Sequence, residues 1–252
     1  MRFGASGYAK ELFPLLFEAS GEQLEPRPIC ELALRAIRAA GADRCITVVS
    51  PDKIELLRVL ADGIGLSMAL AYVVQPVPRG LPDAIRAASP WIRGLDVVFA
   101  MPDTVFFPAT ALARANAART ATGCDVMLGV FPVTEPRRLG PVEIGPGGTV
   151  LRIHDKPATS AIANSWGVAS WSPRFTDFCV AWEEAQSGES GGERALGHVF
   201  EAARCEGLSV GAHFFAEGQF LDIGTPQGLR AALAALATQG VLVADQAATA
   251  RP

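Results

Sequence analysis

Four short apolar runs, residues 45–49 (CITVV), 68–74 (MALAYVV), 97–101 (VVFAM) and 126–131 (VMLGVF), are separated by stretches of helical periodicity. Runs this short and apolar suit strands covered on both faces. Their alternation with helices predicts βαβ units, and so an α/β fold with a mostly parallel sheet and helices on both faces. The intervening stretches carry helical punctuation. Ile29, Leu32, Ala33, Ala36, Ile37 and Ala40 share one face, and Gly41 is placed to stop that helix. Ser50, Pro51 and Asp52 form a start signal, which predicts a helix running to about Asp62 and ending at Gly63.

The pattern changes after Pro132. Residues 142–144 and 150–153 flank a glycine-rich turn and predict a partly exposed hairpin. Strands are expected at 166–171 and 210–215, helices near 173–186 and 194–205, and an alanine-rich helix after Pro226. The opening MRFGASGYAKELFPLLFE predicts a loop and a short extended piece, and the Gly and Ser cluster at 187–192 predicts a surface loop. Residues 1–240 are expected to form a single domain, with 241–252 as a flexible tail.

Half of the 252 residues are hydrophobic, enough for a sizeable core. The net charge of −4, with Lys and Arg scattered, provides no basic field, so neither nucleic acid nor an acidic membrane is expected as a partner. No apolar stretch approaches the roughly 20 residues that span a bilayer, and the N-terminus lacks signal-peptide order, which predicts a cytoplasmic protein. Cys30, Cys45, Cys124, Cys179 and Cys205 are odd in number and dispersed, against a disulfide framework or a zinc site. His154, His198 and His213 show no ligand spacing, and structural roles are expected for them.

The chemistry-bearing residues occupy segments that follow strands, where open α/β sheets bind ligands. Asp103 follows the third run, and Asp222 lies in the segment LDIGTP. Two carboxylates brought together from distant strand ends can hold a hard cation beside phosphate oxygens. In QPVPRGL, prolines stiffen the loop, Gly80 allows close backbone approach, and the Gln75 amide offers a nucleobase both a donor and an acceptor. Asp155 and Lys156 follow the hairpin, where they can grip a sugar hydroxyl, and Lys10 can neutralise phosphate as a point charge. Each has a plainer reading when taken singly: a turn-forming Asp, a rigid surface turn, a surface ion pair, a solvated lysine.

In order along the chain, AKELFPL, RPICELALRAIRAAGADRCITVVSP, YVVQPVPRGLPDAI, VVFAMPDTVFF, DVMLGVFPV, LGPVEI, IHDKP, WGVASW and FLDIGTPQGL resemble the sugar-phosphate nucleotidyltransferases. That group includes the glucose-1-phosphate thymidylyltransferases and uridylyltransferases. The resemblance covers about Lys10 to Ala232. It implies a Rossmann-like domain, with the hairpin and extra strands on the sugar side, in which an NTP and a sugar 1-phosphate meet on Mg²⁺. Matched position by position, it makes Asp103 and Asp222 the metal ligands and Lys10 the phosphate-contacting lysine. Gln75 and Gly80 fall in the base loop, and Gly140, Asp155, Lys156 and Gly167 on the sugar side. Family members often associate, so a homo-oligomer is expected.

The chain departs from that pattern in two places. Asp155 stands where the family usually has Glu, which keeps the charge and shortens the reach. Only nine residues precede Lys10, where the family has a central strand and a G-x-G-T-R-L loop. The expectation is an N-terminally shortened form of the enzyme, whose sheet leaves amides unpaired or closes the gap. The rival expectation is a non-catalytic paralogue that binds a nucleotide sugar and regulates an active partner. A metal-dependent glycosyltransferase is a third, without the D-x-D pair after a suitable strand that it would normally carry.

Overall fold

The computed structural model describes residues 2–3, 8–20, 23–186, 194–241 and 243–245. The glycine-containing segment at 4–7 and the loop expected at 187–192 lie outside them. Two short strands, β1 (Arg2–Phe3) and β2 (Tyr8–Ala9), pair antiparallel and lead into a helical turn at Lys10–Leu12. A hairpin follows, β3 (Leu16–Ser20) and β4 (Gln23–Arg27), where the sequence pattern announced only one extended piece. Pro26 lies inside β4, which a strand tolerates only at an edge.

The next elements alternate as expected: α1 (Cys30–Ala39), β5 (Arg44–Val49), α2 (Glu55–Leu60), β6 (Ala69–Val74), α3 (Leu81–Ile92) and β7 (Val97–Ala100). Then come β8 (Thr104–Phe107), α4 (Ala111–Thr122), β9 (Val126–Pro132), the hairpin β10 (Val142–Ile144) and β11 (Val150–Ile153), and β12 (Asn164–Trp171). The chain closes with α5 (Pro173–Ala185), α6 (Leu196–Cys205), β13 (Val210–Phe214), β14 (Gln219–Asp222), α7 (Pro226–Thr238) and β15 (Val243–Asp245). The helix expected from Ser50 to Gly63 is shorter. One 3₁₀ turn, Pro51–Lys53, precedes α2, and the Ser50 hydroxyl donates to the Asp52 carboxylate and caps no amide. Within 241–252, expected to be a flexible tail, β15 pairs in parallel with β3 on the edge opposite β4. Residues 242 and 246–252 lie outside the described set.

The principal sheet has the order β13–β9–β12–β7. β13 runs parallel to β9, whereas β12 is antiparallel to both neighbours. Side-chain parity then assigns the two faces. Val126, Leu128 and Val130 of β9 join Ala169 and Trp171 of β12 in a core with Ile85 of α3, Phe175 of α5 and Phe200 of α6. Phe131 and Val168 belong instead to a core with α1 and α4, so helices cover both faces. On the first face Trp171, Phe175 and Phe200 interlock, with ring centroids 5.4 Å apart for Trp171–Phe175 and 5.1 Å for Phe175–Phe200. Such pairs contribute about 0.5–1.5 kcal/mol each beyond the area they bury.

β5 and β6 form a separate parallel pair. Among the described residues β5 pairs only with β6 and β7 only with β12, so no strand joins the two sheets. The burial of these strands corrects the expectation that β5 and β7 are covered on both faces. All four residues of β7 are only half-buried, and in β5 only Val49 is buried. The Thr47 hydroxyl in β5 is sealed without a partner.

Asp125 pins together the starts of β9, β13 and α5. Its carboxylate accepts from the Ser209 amide at 2.8 Å and hydroxyl at 2.9 Å, from Ser172 Oγ at 3.3 Å and from Arg174 at 3.1 Å. Burial alone would raise its pKa, but these bonds outweigh burial and hold it below the ordinary 3.8. A depressed folded value means that the stabilisation is fully present above the unfolded pKa and is lost as pH falls through the folded one. Asp125→Ala is therefore expected to cost about 2 kcal/mol at pH 7. In urea titrations its deficit against the wild type should shrink below about pH 4; a deficit independent of pH would contradict this account.

Candidate active site

The site is assembled where β7 ends. The chain turns through Met101–Asp103 into β8, and the Thr104 hydroxyl fixes the turn by donating to the Met101 carbonyl at 3.1 Å. β8 then pairs antiparallel with β14, with Asp222 opposite Thr104. That register seats Asp222 beside Asp103, and the Ile223 amide reaches the Asp103 carbonyl at 3.5 Å. The Gly224 amide donates to Asp222 Oδ1 at 2.8 Å and orients the carboxylate.

Lys10 completes the cluster through an ion pair with Asp103. Burial alone would lower the Lys10 pKa, but the adjoining Asp103, then Asp222 and Glu11, outweigh it and hold the ammonium above its ordinary value. Glu11, which the sequence did not single out, is buried beneath the lysine and takes Lys53 Nζ at 2.5 Å on one oxygen. Its Oε2 is sealed and unpartnered.

The donor set suits one kind of cation. Among the described residues no three His, Cys, Asp or Glu side chains converge into a closed cage. Two carboxylates, Asp103 half-buried and Asp222 exposed, match a hard ion such as Mg²⁺, which keeps waters and takes phosphate oxygens as its other ligands.

The base-loop candidates lie at the C-terminal end of β6. The Gln75 amide bonds the Val49 carbonyl at 2.8 Å, which ties the loop to the end of β5. Its side chain donates to Asp83 Oδ2 at 2.6 Å and to the Gly80 carbonyl at 3.3 Å. Gly80 adopts a φ of 109°. The close approach it permits is to a residue of this chain, since a Cβ there would lie 2.1 Å from the Arg194 carbonyl oxygen. Arg194 is itself held by Glu183.

Of the sugar-side candidates, Gly140 packs against Trp166, a residue the sequence placed in a strand but not in the site. A Cβ on Gly140 would stand 2.3 Å from the indole nitrogen. Asp155 faces His198 at 3.6 Å across the start of α6. Lys156 is held at a φ of 42°, a conformation that side chains rarely adopt, and its ammonium is exposed. Gly167 occupies a bulge in β12, against the Phe220 ring. Phe220 stands two residues before Asp222 and thus connects this group to the carboxylates. A cavity of about 570 Å³ between 133–138 and 160–163 contains none of these residues, and its Arg137 and Arg138 are exposed.

Over residues 5–239 the chain matches the nucleotidyl transferase family, and it belongs to that family. It is 28% identical over 157 residues to a glucose-1-phosphate thymidylyltransferase of Neisseria gonorrhoeae, covering 61% of this chain and 54% of that protein. To the enzyme of that name from Xanthomonas campestris (strain B100) it is 25% identical over 242 residues, covering 90% and 77%. The chain thus spans little more than half the length of the first of these relatives. In three dimensions it resembles a UDP-glucose pyrophosphorylase solved with UDP-glucose, with a TM-score of 0.71, 16% identity and coverage of 91% and 90%. At that identity the likeness establishes the Rossmann-like α/β fold alone.

Because Trp166 is buried against Gly140, an added methyl forces the indole aside. Gly140→Ala is expected to cost about 1–3 kcal/mol by overpacking, read as a lower urea midpoint together with a shift in tryptophan emission. A midpoint equal to that of the wild type would show that the indole yields freely.

Proposed function

We propose that this chain transfers a nucleotidyl group from an NTP to a sugar 1-phosphate, forming a nucleotide sugar and pyrophosphate, with Mg²⁺ held by Asp103 and Asp222. The observation that carries the reading is the meeting of Asp103, Asp222 and Lys10 at one strand end, in a chain of the nucleotidyl transferase family. In such a transfer an oxygen of the sugar phosphate attacks the α-phosphorus. The new P–O bond forms as the bond to the bridging oxygen breaks, and the electron pair leaves with pyrophosphate. Positioning and charge neutralisation suffice, and no protein nucleophile is required.

Held by Asp103 and Asp222, Mg²⁺ would supply positive charge that neutralises phosphate oxygens. Lys10 adds a fixed positive charge beside them, favoured by its raised pKa. Lys156 offers a second ammonium on the sugar side, where Gly140, Asp155 and Gly167 shape the wall. Gln75 and Gly80 hold the base. A cytoplasmic location belongs to the same reading; no helix among the described residues is long and apolar enough to cross a membrane.

Pyrophosphate release with a panel of NTPs and sugar 1-phosphates tests the proposal. Asp103→Ala and Asp222→Ala are each expected to lower kcat by about 100-fold or more. Binding of a nucleotide sugar without turnover would favour the regulatory paralogue, and neither binding nor turnover would sink both readings.

The metal assignment has a test that does not depend on activity. Lys10→Met leaves two neighbouring carboxylates without their cation, so its Tm at pH 7 should fall by several degrees, roughly the effect of 1 kcal/mol. Millimolar Mg²⁺ should restore most of that loss, and the wild type should gain less. An equal response of the two proteins to Mg²⁺ would count against Asp103 and Asp222 as its ligands.

A further inference from the structure

Gln75 has a fixed orientation, and the residue that fixes it is Asp83. The carboxylate of Asp83 is buried, at 4% exposure, in the first turn of α3. One oxygen accepts Gln75 Nε2 at 2.6 Å; the other accepts Arg86 Nε at 3.1 Å and its terminal nitrogen at 2.7 Å. Burial alone would raise the Asp83 pKa, but the bonds from Gln75 and Arg86, with the charges of Arg86 and Arg79, hold it below its ordinary value. At neutral pH it is a carboxylate and purely an acceptor.

Both groups facing Gln75 Nε2 are therefore acceptors, the Asp83 carboxylate and the Gly80 carbonyl. A flipped amide would set Oε1 against both of them, so the chemistry of the neighbours decides between the two orientations. Both Nε2 hydrogens are used. Oε1 receives no hydrogen bond from a described residue, and it is not one of the sealed orphan atoms, which are Glu11 Oε2 and Thr47 Oγ1. What the loop can present to a ligand through this side chain is an acceptor alone.

We propose that Asp83 is a positioning residue that sets base selectivity. By consuming the donor of Gln75 it makes the loop read a ring N–H at the centre of the pairing edge of the base. The imide N–H of uracil or thymine and the ring N–H of guanine meet that demand. Cytosine and adenine present an acceptor at the corresponding ring nitrogen and oppose Oε1. The inference rests on the reading of Gln75 as a base contact and narrows it, since the free amide would serve either kind of edge.

Isothermal titration calorimetry of the full chain with UTP, dTTP, GTP, CTP and ATP in the presence of Mg²⁺ tests it. The wild type is expected to bind the first three about tenfold or more tighter than the last two, the scale of one opposed hydrogen bond. Asp83→Asn can donate to Gln75 and lets the amide turn, so the preference should collapse at least severalfold while binding persists. A variant that weakens all five nucleotides alike would assign Asp83 a structural role only and overturn the proposal, as would a wild type that binds all five equally. If Asp83→Asn does not fold, Gln75→Leu replaces it; loss of the preference supports the proposal and its survival overturns it. Failure of every nucleotide to bind the folded wild type would overturn the underlying reading of the loop and this inference with it.

Discussion

The pairing of β8 with β14 is the contact on which the site depends. Asp103 and Asp222 are separated by more than a hundred residues of sequence, and the four-residue antiparallel ladder makes them neighbours. A one-residue slip would turn Asp222 to the opposite face. The ladder is held from behind by a small core of Val105, Phe107, Ile223, Ala232 and Leu236, all buried, so α7 serves chiefly as backing for the strand that carries Asp222. Phe220, of opposite parity, points into the second core and stacks with Phe131 at 5.9 Å. Register and packing thus specify the same arrangement.

The site is distributed over elements of different rigidity. The carboxylate ladder is a separate two-stranded pair that the chain enters from β7, and Trp166 lies in the four-stranded sheet, whose central strands are buried but for one end residue each. The loop after β6 grows from the β5–β6 pair, whose strands are largely half-buried or exposed and which no described strand links to the four-stranded sheet. Local stability follows buried apolar contact and paired backbone. The loop after β6 therefore belongs to the less constrained part of the molecule. Its own fastenings, Gln75 to Val49 and Gly80 to Arg194, accordingly matter more than they would on a central strand.

Much of this was legible in the sequence. The alternation of apolar runs and helical faces marked the principal strands and helices because both periods are imposed locally, by pleat and by helical turn. Asp103, Asp222 and Lys10 were legible as candidates, and the structure brings them together. What the sequence could not show was pairing partners. Nothing in NSWGVASW announces that β12 runs antiparallel between β9 and β7, since a buried strand looks the same in either direction. Asp83 was hidden for a similar reason. An acidic residue in a first helical turn is ordinary, and only the structure shows its contact with Gln75. The half-burial of β5 and β7 was misjudged because apolar composition reports the burial a strand is suited to, and not whether a neighbour is present to provide it.

Charge explains why the cluster holds together. Asp103, Asp222 and Lys10 carry a net single negative charge, and the ammonium, sitting against Asp103, relieves the repulsion between the carboxylates. The ammonium does not depend on Asp103 alone for its charge. Burial works against the cationic form, and Asp222 and Glu11 act with Asp103 to outweigh it, so the lysine is held charged by three carboxylates and not by one. Glu11, buried and with one sealed oxygen, is the least exposed of the three, and its field on the lysine is therefore the least screened by water.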